Sequence, residues 1–153
     1  MDQIISAQFD LVGTKVYFTF KNHLEKELLH LVLPEGLLTH FDVIEILLLC
    51  DVKSKKEFFE IVLEEQNKIL LAVDVSQYES KGFTEVTLQD FPLRGKPTYL
   101  RIRRRRWRHK QDPKNIIRND FSFVAEGAGF TQELSDFLKD TSGYERRYNN
   151  QHR

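Results

Sequence analysis

A chain of 153 residues, 41% of them apolar and 30% charged, has the composition of an ordinary globular domain and excludes a wholly disordered polymer. No apolar run reaches the ~20 residues a membrane-spanning helix needs, and the N-terminus lacks a signal-peptide pattern, so a cytosolic protein is expected. The formal net charge of zero hides a segregation that bears on partners: residues 1–89 hold 8 Lys+Arg against 15 Asp+Glu, residues 90–118 hold 11 against 2, and residues 119–153 hold 4 against 6.

In chain order, residues 1–21 form an extension of uncertain structure in which 15–20 (KVYFTF) has strand composition. Asn22 is a plausible N-cap for a helix over His23–Leu33, with Leu24, Leu28, Leu29 and Leu31 as its stripe. Pro34 and Gly36 end that helix, and Leu37–Phe41 can form one further turn. Two apolar runs, Val43–Asp51 and Glu57–Glu64, flank a lysine-rich connection and read as a β-hairpin. A helix over Glu57–Glu65 competes, because the same residues also fit a 3.6 period. Cys50, the one cysteine, excludes an internal disulfide and a multi-cysteine zinc site, and reads as a small core residue.

The stretch 74–82 is linker-like, dividing an N-terminal α/β subdomain (22–73) from a β-ribbon-plus-helix subdomain (83–144). In the latter, Thr84–Leu88 reads as a strand and Asp90–Pro97 as a tight connection, since two prolines and a glycine oppose a ladder. Thr98–Arg108 reads as a long strand and Asn115–Ala125 as its return, with Gly127 and Gly129 breaking the sheet. Thr131 caps a helix from Gln132 to about Asp140, with Leu134, Phe137 and Leu138 as its apolar face and Gly143 as its stop; residues 145–153 form a frayed tail. The expected fold class is α+β: a small N-terminal helix and β-hairpin, a three-stranded antiparallel β unit, then a C-terminal helix.

The chemistry concentrates in residues 101–108, with six arginines in eight positions. Strand alternation sets Tyr99, Arg101, Arg103, Arg105 and Trp107 on one face and Leu100, Ile102, Arg104, Arg106 and Arg108 on the other. The guanidinium fork suits phosphate and guanine, so these arginines are the candidate nucleic-acid contacts, with Trp107 and Tyr99 packing or stacking. Arg94, Lys96, Lys110, Lys114 and Arg118 would extend the surface. Neutralising ~5 phosphates would give a log–log salt slope near −4 to −5. Two other readings stand beside this one: pairing with acidic groups of the same chain or of a partner protein, and a solvated edge that prevents aggregation.

No catalytic site is legible. Glu57, Glu60, Glu64 and Glu65 read as the wet face of a strand or helix, the five histidines lack metal-ligand spacing, and neither a phosphate-binding glycine loop nor a nucleophile elbow is present. No metal, cofactor or small-molecule substrate is expected.

The blocks 89–97 (QDFPLRGKP), 99–107 (YLRIRRRRW), 124–127 (VAEG) and 131–139 (TQELSDFLK) resemble the N-terminal-region proteins of ISAon-type insertion-sequence transposases, over about residues 28–144. The pattern D-[FL]-P-x-x-G-[KR]-x-x-x-L-x-[IV]-x-x-R-R-[FW] is shared with the larger ISL-type transposases, where it lies in a zinc ribbon. The resemblance implies a degenerate zinc ribbon without its cysteines, the metal replaced by packing of Trp107, Phe121 and Phe123. It also implies a non-catalytic DNA-binding module of a split transposase, which recognises the element's terminal repeats beside a separately encoded catalytic subunit in a bacterial cytoplasm. The alternative is an adaptor module whose basic strand pairs with an acidic partner protein.

Overall fold

The computed structural model describes residues 23–123 and 129–151, and the side chains of residues 27–123 and 129–141. The strand expected over 15–20, the Asn22 cap, the extension 1–21, Gly127 and the end of the return strand at Val124 and Ala125 lie outside the described residues. The fold is α+β, with three α-helices and one mixed five-stranded sheet among the described residues.

Helix α1 (His23–Val32) ends at Leu33 and Pro34, and the single turn α2 (Leu37–His40) follows Gly36, whose φ of 77° is the left-handed conformation that glycine adopts freely. Leu29 and Leu33, one turn apart, are buried together with Pro34 and Leu37, while Leu28 and Leu31 of the expected stripe face outward. Strand β1 (Phe41–Cys50) and strand β2 (Glu57–Glu65) form the expected antiparallel hairpin, so the helical reading of the second run is not adopted. Asp51 shapes the connection by accepting from the Lys53 and Ser54 amides at 3.0 and 2.6 Å. Cys50 is exposed, a correction that follows from its place as the last residue of an outer strand.

The stretch read as linker-like is ordered. Asp74 caps a 3₁₀ turn (Val75–Gln77) by accepting from the Ser76 amide, and strand β3 (Tyr78–Leu93) starts immediately after it. Strand β3 pairs antiparallel with strand β4 (Lys96–His109) through a turn of two residues, Arg94 and Gly95, both with positive φ. That is the primed geometry whose twist matches a hairpin. The tight connection is thus shorter than the sequence suggests. Pro92 and Pro97 stay within strands because they fall at the register shift between Asp90 and Leu93, where no regular ladder bond is required of them.

The strand order is β1-β2-β4-β3. Strand β4 lies between β3, its antiparallel hairpin partner, and β2, with which it pairs in parallel from Phe59↔Thr98 to Glu64↔Arg103. Stretches 22–73 and 83–144 therefore contribute to a single sheet. Beyond Arg103 the β2 side of β4 is taken over by strand β5 (Ile116–Ile117), which pairs at Trp107 and Arg108. The expected return strand is reduced to these two residues, because Asn119 turns its side chain and carbonyl to other work.

One face of the sheet carries Ile61, Leu63, Leu88, Leu100 and Ile102, which pack with Leu29, Leu33, Leu37 and Phe41. Phe121 and Phe123 join them, stacked on each other at 5.4 Å and edge-on to Phe41. Strand alternation puts Trp107 on the opposite face, so it does not share a cluster with these phenylalanines. Residues 129–131 run along β3 with Gly129 and Thr131 bonded to the Gln89 backbone, after which α3 (Gln132–Gln151) begins. The helix passes through Gly143 and the expected tail. Glycine lowers helix stability by ~1 kcal/mol without preventing helical dihedrals. Leu134 is buried, whereas Phe137 (52% exposed) and Leu138 (43%) are open to solvent, Phe137 standing edge-on to Phe91. Among the described residues no helix is long and apolar enough to cross a membrane.

Thr131 serves as the expected cap, its hydroxyl accepting from the Leu134 amide while donating to the buried Asp90 carboxylate at 2.8 Å. Burial pushes the Asp90 carboxyl above the ordinary carboxylate range, against the opposing pull of the Thr131 hydroxyl. A carboxyl raised in the folded state favours folding most when protonated. Its contribution is complete below the ordinary unfolded value and is lost as pH rises through the raised folded value. Asp90→Asn, neutral at every pH and still able to accept from Thr131, should therefore gain stability relative to the parent as pH rises from about 3 to about 7. Thermal melts across that range measure it, and a parent–variant difference independent of pH contradicts it.

Candidate nucleic-acid interface

The sequence-derived contacts divide into three groups once the sheet is assembled. The first comprises Arg101, Arg103 and Arg105, on the face of β4 away from the helices. Parallel pairing with β2 sets Glu60 and Glu64 beside them, and β3 adds Glu85 opposite Arg103. Arg101 pairs with Glu60 at 3.4 Å, Arg103 with Glu64 at 2.6 Å and Glu85 at 3.7 Å, and Arg105 with Glu64 at 3.7 Å. The Phe83 ring lies 4.5 Å from both the Arg103 and the Arg105 guanidinium, so the two cations share one aromatic ring. The glutamates read as a wet strand face are the counter-charge of the arginine strand. The pairing of chain halves anticipated as an alternative is thus realised for these three side chains.

The second group is structural. Trp107 is 2% exposed, and its indole N–H donates to Asn67 Oδ1 at 2.9 Å, where the 66–77 connection passes over the end of β4. It packs, and offers no free face for stacking on a base. Tyr99 stands edge-on to Phe58 at 5.7 Å. Arg108 is held by Glu79, directly opposite on β3, and Glu79 is kept below the ordinary carboxylate range mainly by that hydrogen bond. Lys96 pairs with Glu57 at 3.4 Å, and Lys110 Nζ donates to the Ser76 carbonyl at 2.6 Å. His109 accepts from the Gln111 amide.

The third group is Arg104, Arg106 and Arg118. Arg104 donates to the Asn119 carbonyl and lies 5.9 Å over the Phe121 ring. Arg106 is on the same face one alternation further, and among the described residues its guanidinium meets no carboxylate, while its Nε is buried without an acceptor. The β4–β5 register (Trp107↔Ile117, Arg108↔Ile116), carried one step on, puts Arg118 opposite Arg106. Arg118 is exposed, as are Lys81 in the β3 bulge facing Arg106 and Lys114 in the β4–β5 turn. Arg94 is also exposed, but it sits at the other end of the hairpin, roughly 35 Å from this cluster at ~3.3 Å per strand residue.

Glu65, read from the sequence as part of a wet face, is instead buried, because it holds the junction where β2 leaves β4 and β5 begins. Glu65 is 1% exposed. One carboxylate oxygen accepts from the Arg105 amide at 2.8 Å and the other from Asn119 Nδ2 at 2.8 Å, while Asn119 also bonds the Lys68 carbonyl and the Leu70 amide. Burial pushes the Glu65 carboxyl above its ordinary range, opposed by these donors and by the Arg104 and Arg105 charges. Among the described residues no three His, Cys, Asp or Glu side chains converge as a metal site would require. No family model, curated protein or solved structure matches this chain.

Proposed function

We propose that this chain is the DNA-binding, non-catalytic N-terminal module of a split transposase, reading the terminal repeats of its element beside a separately encoded catalytic subunit in the bacterial cytoplasm. The observation that carries the proposal is the placement of Arg106 opposite Arg118, one alternation beyond Arg104, with neither Arg106 nor Arg118 paired to a carboxylate among the described residues. Like charges held together in this way repel unless an anion joins them, and a phosphodiester backbone is the polyanion whose geometry the guanidinium fork fits. The family likeness in the blocks around Gln89–Lys139 supports the same reading and supplies the transposon end as the target. On it, β3, β4 and β5 correspond to a zinc ribbon that has lost its metal, held instead by Trp107 on one face and Phe121 with Phe123 on the other.

Because Arg101, Arg103, Arg105 and Arg108 already hold carboxylates, the number of phosphates engaged falls from the ~5 read from the sequence to about three, and the log–log salt slope to about −3. Fluorescence anisotropy with duplex DNA at several salt concentrations measures it. Arg106→Ala with Arg118→Ala should weaken binding about 100-fold at low salt and remove close to two units of slope. Arg101→Ala should leave the slope unchanged. A salt-independent parent, or a double variant that binds as the parent does, overturns the proposal. An adaptor role has one observation in its favour, the exposed Phe137 and Leu138 beside the acidic start of α3. It predicts capture of the catalytic subunit by the Arg106/Arg118 double variant.

A further inference from the structure

Among the described residues the sheet has two outer strands, and they are built differently. Strand β3 is protected along its open side: it is bulged at Ser80–Phe83 and Asp90–Leu93, carries Lys81, Gly82 and Pro92, and has the Gln89 backbone occupied by residues 129–131. These are the features that keep an edge from recruiting other strands. Strand β1 has almost none of them. Its ten residues, FDVIEILLLC, include no lysine, arginine, proline or glycine, and its only irregularity is a single bulge between Val43 and Glu45. Among the described residues only β2 pairs with it, which leaves one side of its backbone without ladder partners. Ile44 (46% exposed) and Val52 (81% exposed), near the two ends of this edge, are open to solvent.

The charges along this edge are polarised. Asp42 and Glu45 lie at its start, and the turn that follows its end carries the exposed Lys53, Lys55 and Lys56 against a single carboxylate, Asp51, which is engaged by the turn's own amides. A second copy laid parallel would set acid against acid and lysine against lysine. Laid antiparallel about a two-fold axis near Leu47, it sets Ile44 opposite Cys50 and Glu45 opposite Leu49, so that each copy's acidic strand start lies toward the other's lysine-bearing turn, twice over. Ile44 then falls within the seam. An isologous, self-complementary edge of this kind fits a strand of the same sequence better than an unrelated one.

We propose that β1 pairs antiparallel with β1 of a second copy of this chain, joining two sheets into one across a two-fold axis. This inference stands apart from the nucleic-acid reading.

Sedimentation equilibrium of the full chain tests it, with the parent expected at twice the chain mass of 18.2 kDa. Replacing Lys53, Lys55 and Lys56 by Glu should give a monomer, as should Asp42→Lys with Glu45→Lys, each variant first shown to be folded by its thermal melt. An equimolar mixture of the two variants should return to the dimer mass, because one end then sets an acidic turn against a basic strand start and the other end an acidic start against a lysine turn. A parent that is monomeric throughout, or a mixture that stays monomeric, overturns the proposal. Should either variant fail to fold, zero-length carbodiimide coupling of the parent, with isotope-labelled and unlabelled chains mixed, gives a second measurement. Label-mixed links from Lys53, Lys55 or Lys56 to Asp42 or Glu45 are expected, and their absence overturns the pairing.

Discussion

Replacing Glu65 by alanine should lower the melting temperature by roughly 6–12 °C, corresponding to a loss of about 3 kcal/mol in a chain of this size. The estimate weighs opposing effects. Removing a buried carboxylate relieves its desolvation, which is why burial pushes the group above its ordinary range. Against that, the Arg105 amide and the Asn119 side-chain N–H lose their acceptor in a place that water reaches poorly, at ~1–3 kcal/mol for each donor stranded. The Arg104 and Arg105 guanidinium groups also lose a nearby negative charge. The donors are the larger effect, so the sign is destabilising. Asn119→Ala should cost a similar amount, and the double variant clearly less than the sum of the two, because both act on one junction. Additive losses, or a Glu65→Ala melt within a degree of the parent, would show that the junction is held by something else.

Trp107→Ala should be at least as damaging, at ~3–5 kcal/mol for a large side chain deleted from a packed site. This result separates two roles that the sequence left together. A tryptophan that stacked on bases would, when removed, weaken DNA binding by ~1–3 kcal/mol per base and leave the melt nearly unchanged. A tryptophan that packs behind the 66–77 connection lowers the melt and leaves the affinity of the molecules that remain folded intact. Measuring affinity and thermal melt on the same variant at low temperature distinguishes them. Trp107→Phe should fall between parent and alanine, since it keeps most of the volume but strands the Asn67 carbonyl that the indole bonds.

Much of the fold was legible locally. The helix at 23–32, the hairpin of β1 and β2, the core of the Leu100–Ile102 strand and the Thr131 cap all follow from period, turn chemistry and capping, which act over a few residues. What was not legible depended on partners distant in the chain. The parallel pairing of β2 with β4 couples residues about 40 apart, as the Arg103–Glu64 and Arg105–Glu65 contacts do, and no local pattern encodes it. That one pairing turned Glu60 and Glu64 from a wet face into counter-ions and moved the free charge of the arginine run to Arg106 and Arg118. The counts of 15 acids in residues 1–89 and 11 bases in residues 90–118 were the available signal, since two oppositely charged halves invite each other. They fixed the sign of the attraction but not its register. The two prolines misled for a related reason. Their cost is set by ladder bonds at specific positions, and the bulge falls where none is asked of them.

The late arrival of β4 at the middle of the sheet has a consequence for synthesis. The ribosome delivers β1 and β2 first, with the flank of β2 that will meet β4 still bare, and then β3, which has no seat against β2. Only when the Arg94–Gly95 turn has emerged can β4 fold back on β3 and slot between the earlier strands. A chain with β2 complete but β4 not yet made therefore leaves both borders of the β1–β2 hairpin open, and a transiently unpaired border of this kind favours aggregation. Productive folding waits for the arginines to be translated, since they are the last pieces of the strand that closes the sheet.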